Sequence, residues 1–83
     1  MLLSSNLKEL GTLFRAERKA TGKTQADVAK ASGLRRETII RIEAGENIDM
    51  ITFLKALSAI GKGIRLADRR MDYDSIKGVF DES

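Results

Sequence analysis

The tightest constraint in this 83-residue chain is the stretch Gln25–Glu43, where a single glycine parts two short helix patterns. Thr24-Gln25-Ala26-Asp27 is a start signal. The Thr24 hydroxyl can accept from the backbone N–H of Asp27, and Asp27 sits in the first turn, where the helix dipole favours an anion. The helix it opens, about 25–31, is predicted to stop at Ser32-Gly33. After a brief turn, Arg36–Ala44 forms a second helix, closed by Gly45. Val28, Leu34, Ile39 and Ile42 are apolar at the points that should face a core, with Ile39 and Ile42 stacked on one helix face. Ala29 is small where the two helices must approach closely, and Gly33 sits where a positive φ is expected.

Two more helices flank this pair. Asn6-Leu7-Lys8-Glu9 reads as a cap, and Leu7, Leu10 and Leu13/Phe14 then recur at helical spacing up to Gly22, predicting a helix over about 7–20. Asp49 looks like the cap of a helix over about 50–60, with Met50, Phe53/Leu54, Leu57 and Ile60 on its face and Gly61 closing it. Within this frame, Gln25–Glu43 fits a helix-turn-helix position by position. Arg35, Arg36, Glu37, Ile40 and Arg41 then point away from Ile39 and Ile42 and make the outward face.

The period changes after Gly61. Gly63–Asp68 alternates partly with period two and reads as a strand, with Ile64, Arg65, Leu66 and Ala67 at its centre. It would be the only strand, and a lone strand leaves its backbone groups unpaired. Its cheapest partner is the same strand of a second copy in a two-fold dimer. The alternative is an irregular extended tail lying on the last helix. Residues 71–83 place Tyr73, Ile76, Val79 and Phe80 among acids, which suits either a frayed tail or a short amphipathic helix docked on a partner. The expected division is 1–62 for the helical unit, 63–70 for the dimerisation strand and 71–83 for the acidic tail.

Composition narrows the chemistry. There is no Cys, His, Pro or Trp, which removes disulfides, thiolate or imidazole metal sites, and Cys or His nucleophiles. No loop has the alternating Asp/Asn pattern of a carboxylate metal site. No serine lies beside a base in a recognisable motif, and Gly61-Lys62-Gly63 is too short for a phosphate loop. The expectation is a non-enzyme with no cofactor and no metal. Residues 1–70 hold fourteen Lys/Arg against eight Asp/Glu, and residues 71–83 hold one against four, so an acidic tail masks a basic body. Aromatics are only 5%, too few to read single strands by stacking, whereas a duplex can be bound through its phosphates. Met1-Leu2-Leu3 is too short for a signal sequence and no run is long enough to span a membrane, so the cytoplasm is the expected location.

Leu10, Phe14, Arg18, Gly22, Thr24-Gln25, Val28-Ala29, Gly33-Leu34, Thr38-Ile39, Arg41-Ile42-Glu43, Gly45 and the helix Met50–Ile60 together resemble the XRE (Cro/cI-type) helix-turn-helix family, over roughly residues 7–60. The resemblance implies a mainly α, lambda-repressor-like domain of four to five helices, with the C-terminal strand pairing across a homodimer. It implies that the second helix of the motif enters the major groove by its N-terminal end. Arg36, Glu37 and Arg41 match positions that touch base edges, and Arg35 and Gln25 match positions that contact phosphates. Thr24 caps the helix whose N-terminus approaches the backbone. Arg suits guanine O6 and N7, Glu suits cytosine N4, and Ile40 suits a thymine methyl. Where many relatives carry Ser, Gln or Thr, this chain has Arg35-Arg36-Glu37, so Arg35 and Arg36 can exchange roles and Glu37 can instead pair with Arg41. Arg18 and Glu43 match an ion pair that ties the first helix to the end of the third.

The layout beyond the fourth helix is similar to HipB-type antitoxins, in which a strand after the last helix joins its two-fold mate. That similarity implies a DNA-binding repressor acting on its own operon through a palindromic operator, with a HipA-like kinase toxin as partner. The tail 71–83 is then the place to look for toxin contact. The alternative is a free-standing or phage-type regulator without a toxin.

Overall fold

The computed structural model describes residues 6–68. It contains α1 (Leu7–Ala20), α2 (Gln25–Ser32), α3 (Arg36–Glu43) and α4 (Met50–Ala59). Each begins where its sequence signal stands. The Asn6 side chain accepts from Glu9 N–H at 2.9 Å and the Asp49 carboxylate from Thr52 N–H at 2.8 Å. At α2 the box is reciprocal: the Thr24 hydroxyl accepts from Asp27 N–H at 3.0 Å, and the Asp27 carboxylate accepts from Thr24 N–H at 2.9 Å. Only α3 lacks a capping side chain; its N-cap is Arg35.

All four helices end alike, each with a backbone bond from an N–H two or three residues past the helix back to a carbonyl five residues earlier. These bonds run Lys23 to Arg18, Leu34 to Ala29, Glu46 to Arg41 and Lys62 to Leu57. Gly33 supplies the left-handed residue in the turn between α2 and α3, at φ 75°.

The core is built by Phe14, Val28, Ala29, Ile39, Ile42, Phe53, Ala56, Leu57 and Ile60, with Leu10 and Leu34 packed against its margin. Val28 and Ile39 are wholly buried, each contributing roughly 1.5–3 kcal/mol of transfer free energy. The Phe14 and Phe53 rings meet at 6.2 Å between centroids. The buried stripe of α4 is Phe53, Ala56, Leu57 and Ile60, so the expected inward placing of Met50 and Leu54 is not found; they are 61% and 41% exposed. The stripe runs through Ala56, whose small side chain is wholly buried, and that rotation carries Met50 and Leu54 off the inner face.

α1 lies against the C-terminal end of α3 at very short range. A methyl group on Gly11 would stand 2.5 Å from Ile42 O and 2.8 Å from Glu43 O. One on Gly45, at φ 82°, would stand 2.7 Å from the Lys8 Cα. Those two glycines set the distance between the first helix and the end of the third.

Residues 62–68 are neither helix nor strand in the single chain. The strand expected over Gly63–Asp68 has no ladder here, because nothing among the described residues lies alongside to pair with it. Ile64 and Leu66 are 50% and 93% exposed, so this segment does not bury its apolar side chains against α4 either. Residues 69–70 of the expected strand region and the tail 71–83 lie outside the described residues. No described helix is long and apolar enough to cross a membrane.

Candidate nucleic-acid interface

The site is framed by one buried ion pair. Arg18 Nε donates to Glu43 Oε2 at 2.6 Å and Nη2 to Oε1 at 3.2 Å, with the two side chains only 9% and 5% exposed. Arg18 Nη1 donates to Lys23 O at 2.8 Å. Every nitrogen of this guanidinium therefore has an internal partner, and Arg18 braces α1, α3 and the α1–α2 turn.

From Glu43 the hydrogen bonding continues outward. Gln25 Nε2 donates to Glu43 Oε1 at 3.1 Å, and Gln25 Oε1 accepts from Arg36 Nη2 at 3.3 Å. A chain of polar contacts thus runs from the buried pair to the first residue of α3. Arg35, Arg36, Glu37 and Arg41 are all exposed, and Ile40 is 40% exposed beside them. Ile39 and Ile42 face the core from the other side of the same helix.

The start of α3 runs against the ordinary rules for a helix N-terminus. That end carries partial positive charge and favours an acid or a capping oxygen. Here Glu37 supplies an acid in the first turn, but two adjacent arginines open the helix and no side chain caps it. The other three helices are each capped by a side chain, so α3 is the exception among the described helices.

Beside this end lies an open cleft of about 740 Å³. Arg15, Lys23 and Arg36 line it with Thr24, Gln25 and Ala26 of the α2 N-terminus. The capping box occupies the N–H groups of Thr24 and Asp27, and those of Gln25 and Ala26 stay unbonded within the described residues. Accepting from the Thr24 N–H, and then from its hydroxyl, holds the Asp27 carboxyl below the ordinary carboxylate range. Asp49 is lowered likewise by its bonds to Thr52.

Glu37 does not pair with Arg41. Arg41 Nε instead donates to Glu46 Oε1 at 2.7 Å, both side chains being about half exposed. Arg15, Lys23 and Glu46 were not picked out by sequence reasoning. The basic outer face of α1 was the available signal for Arg15, and the position just past Gly45 for Glu46. Ile64, Arg65, Leu66 and Ala67 lie well away in sequence on the exposed segment after α4.

Two short helices set by a glycine turn, braced by flanking helices and offering the outer face of the second, define a helix-turn-helix protein. The Helix-turn-helix family model matches residues 14–66, and the chain belongs to that family, in its XRE-type branch of DNA-binding regulators. Among solved structures, a HipB variant in an O2 20mer complex shares 28% identity, with a TM-score of 0.75, covering 82% of this chain and 96% of that one. The HipB of a HipA-HipB-O2-O3 complex shares 26% identity at a TM-score of 0.75, covering 82% and 97%. The restriction-modification controller protein C.AhdI from Aeromonas hydrophila shares 32% identity at 0.64, covering 68% and 86%. No curated protein matches the sequence.

Proposed function

We propose that the protein is a homodimeric, sequence-specific repressor that reads a palindromic operator, and that it serves as the antitoxin of a HipA/HipB-like pair. The observation that carries the DNA-reading part is the uncapped, doubly cationic start of α3, held by Gln25. A helix start with paired arginines and no side-chain cap, beside the unbonded Gln25 and Ala26 N–H groups of the α2 N-terminus, suits a phosphate backbone. Arg36, Glu37 and Arg41 are assigned to base edges, with Ile40 against a thymine methyl. Arg35, Gln25 and the α2 N-terminus beside Thr24 are assigned to phosphates, and the cleft adds Arg15 and Lys23 to that set.

Residues Ile64–Ala67 are assigned to a strand that forms only when a second copy supplies its ladder. Their exposure in the single chain supports this reading, since apolar side chains left in water favour a partner. The partnership with a kinase-like toxin rests on the likeness to HipB chains, one of them in a HipA-HipB complex. The likeness to a restriction-modification controller favours a second reading, a regulator without a toxin. A reading frame for a kinase-like protein beside this one, whose product co-purifies with the chain, decides for the antitoxin; its absence decides for the second reading.

Titration of duplex binding against salt tests the phosphate set. Each phosphate neutralised steepens the fall of log K with log salt by about 0.9. Arg15→Ala and Lys23→Ala are each expected to reduce that slope by about 1 and to weaken binding equally on all sequences. An unchanged slope removes the residue from the set.

A further inference from the structure

The end of α3 carries a device separate from its start. Glu46 is the third residue past the α3 end, and its N–H bonds back to Arg41 O at 3.0 Å across Gly45. That backbone bond sets the two residues side by side. The position usually holds an apolar contact, and α2 has apolar residues there, Ala29 in the core and Leu34 packed against it. Among the described helices, only α3 places opposite charges there, and the carboxylate takes Arg41 through Nε at 2.7 Å. Arg18 uses all three of its nitrogens internally, whereas Arg41 uses Nε alone among the described residues. Its two terminal nitrogens stay available, and their parallel N–H bonds match the O6/N7 edge of guanine.

We infer that Glu46 is a positioning residue for base recognition: it fixes the Arg41 guanidinium end-on, so that Arg41 reads a guanine instead of swinging to a phosphate. A free arginine on this helix would find the phosphates first, because they outnumber any base edge and attract from farther away. Tethering through Nε restricts that swing, and the carboxylate repels phosphate from the same spot. The inference rests on the DNA-binding reading above.

The test compares the wild-type chain with Glu46→Ala, Glu46→Gln and Arg41→Ala. Each is titrated with the duplex selected for the wild type, with its single-base-pair variants and with an unrelated duplex. Arg41→Ala and Glu46→Ala are expected to lose preference at the same guanine position of each half-site, by at least about fivefold. Glu46→Ala is expected to bind the unrelated duplex as well as or better than wild type, since a negative charge is gone. Glu46→Gln keeps an acceptor oxygen and is expected to retain more of the preference than Glu46→Ala. If both Glu46 variants bind every duplex more tightly with base preference intact, Glu46 only repels phosphate and the inference is overturned. Wild-type chain that prefers no duplex at all overturns the DNA-binding reading and takes this inference with it.

Discussion

The side-chain oxygen of Gln25 accepts from Arg36 at 3.3 Å while its nitrogen donates to Glu43 at 3.1 Å. Gln25 thereby links the buried ion pair to the first residue of α3. Arg36 is exposed and flexible by nature, and a single tether at its terminal nitrogen limits the space it samples. Gln25→Ala and Arg36→Ala are each expected to weaken operator binding by about 1–3 kcal/mol, Arg36→Ala with relaxed preference at one position. Because the two side chains touch, the double variant should lose less than the sum of the single losses. Strict additivity in a double-mutant cycle would mean that the Gln25–Arg36 bond has no part in binding.

The Arg18–Glu43 pair sits where neither charge meets much water. Removing one member leaves the other buried and uncompensated, which costs about 3–5 kcal/mol. Arg18→Met is therefore expected to lower the thermal midpoint by more than 10 °C, at about 4–8 °C per kcal/mol in a domain of this size. Arg18→Met paired with Glu43→Leu should recover much of the loss. A melt within 2–3 °C of wild type for the single variant would show that the pair does not brace the frame.

Acid should loosen the helix starts. Asp27 and Asp49 are both lowered by hydrogen bonds that exist only when the chain is folded. Their contribution is fully present above the ordinary carboxylate pKa of about 3.9 and is lost as pH falls through the lowered folded values. Melts followed from pH 6 to pH 2 are expected to show a decline beginning near pH 4. Asp27→Asn with Asp49→Asn should flatten that decline, since asparagine has no carboxylate to protonate. The same acid slope in the double variant would assign it to other carboxylates.

Local signals in the sequence were enough to place the four helices. Asn6, Thr24 and Asp49 announce three starts through short-range bonds to the N–H three residues on, which any reader of the chain can pair. Gly22, Gly33, Gly45 and Gly61 announce the ends. What stayed hidden depends on distance in space. Gly11 looks like a flaw in a helix until the carbonyls of Ile42 and Glu43 are seen against it. The outward face of α3 was readable from the positions of Ile39 and Ile42. The partner of Arg41 was not, because helical spacing offers Glu37 and only the turn at Gly45 brings Glu46 alongside. Ile64–Ala67 show the same limit at a larger scale: the period-two pattern reads as a strand, and the described residues hold no neighbour for it to pair with.

Selection of binding sites from random duplex DNA tests the DNA reading most directly. A dimer presenting two copies of α3 should enrich a palindrome whose half-sites lie about 34 Å apart, one helical turn. The enriched duplex should bind at ~10⁻⁸–10⁻¹¹ M in physiological salt. Arg36→Ala should relax the consensus at one position in each half-site. Enrichment of no sequence, with equal binding to every duplex offered, would contradict the assignment of α3 as a reading helix.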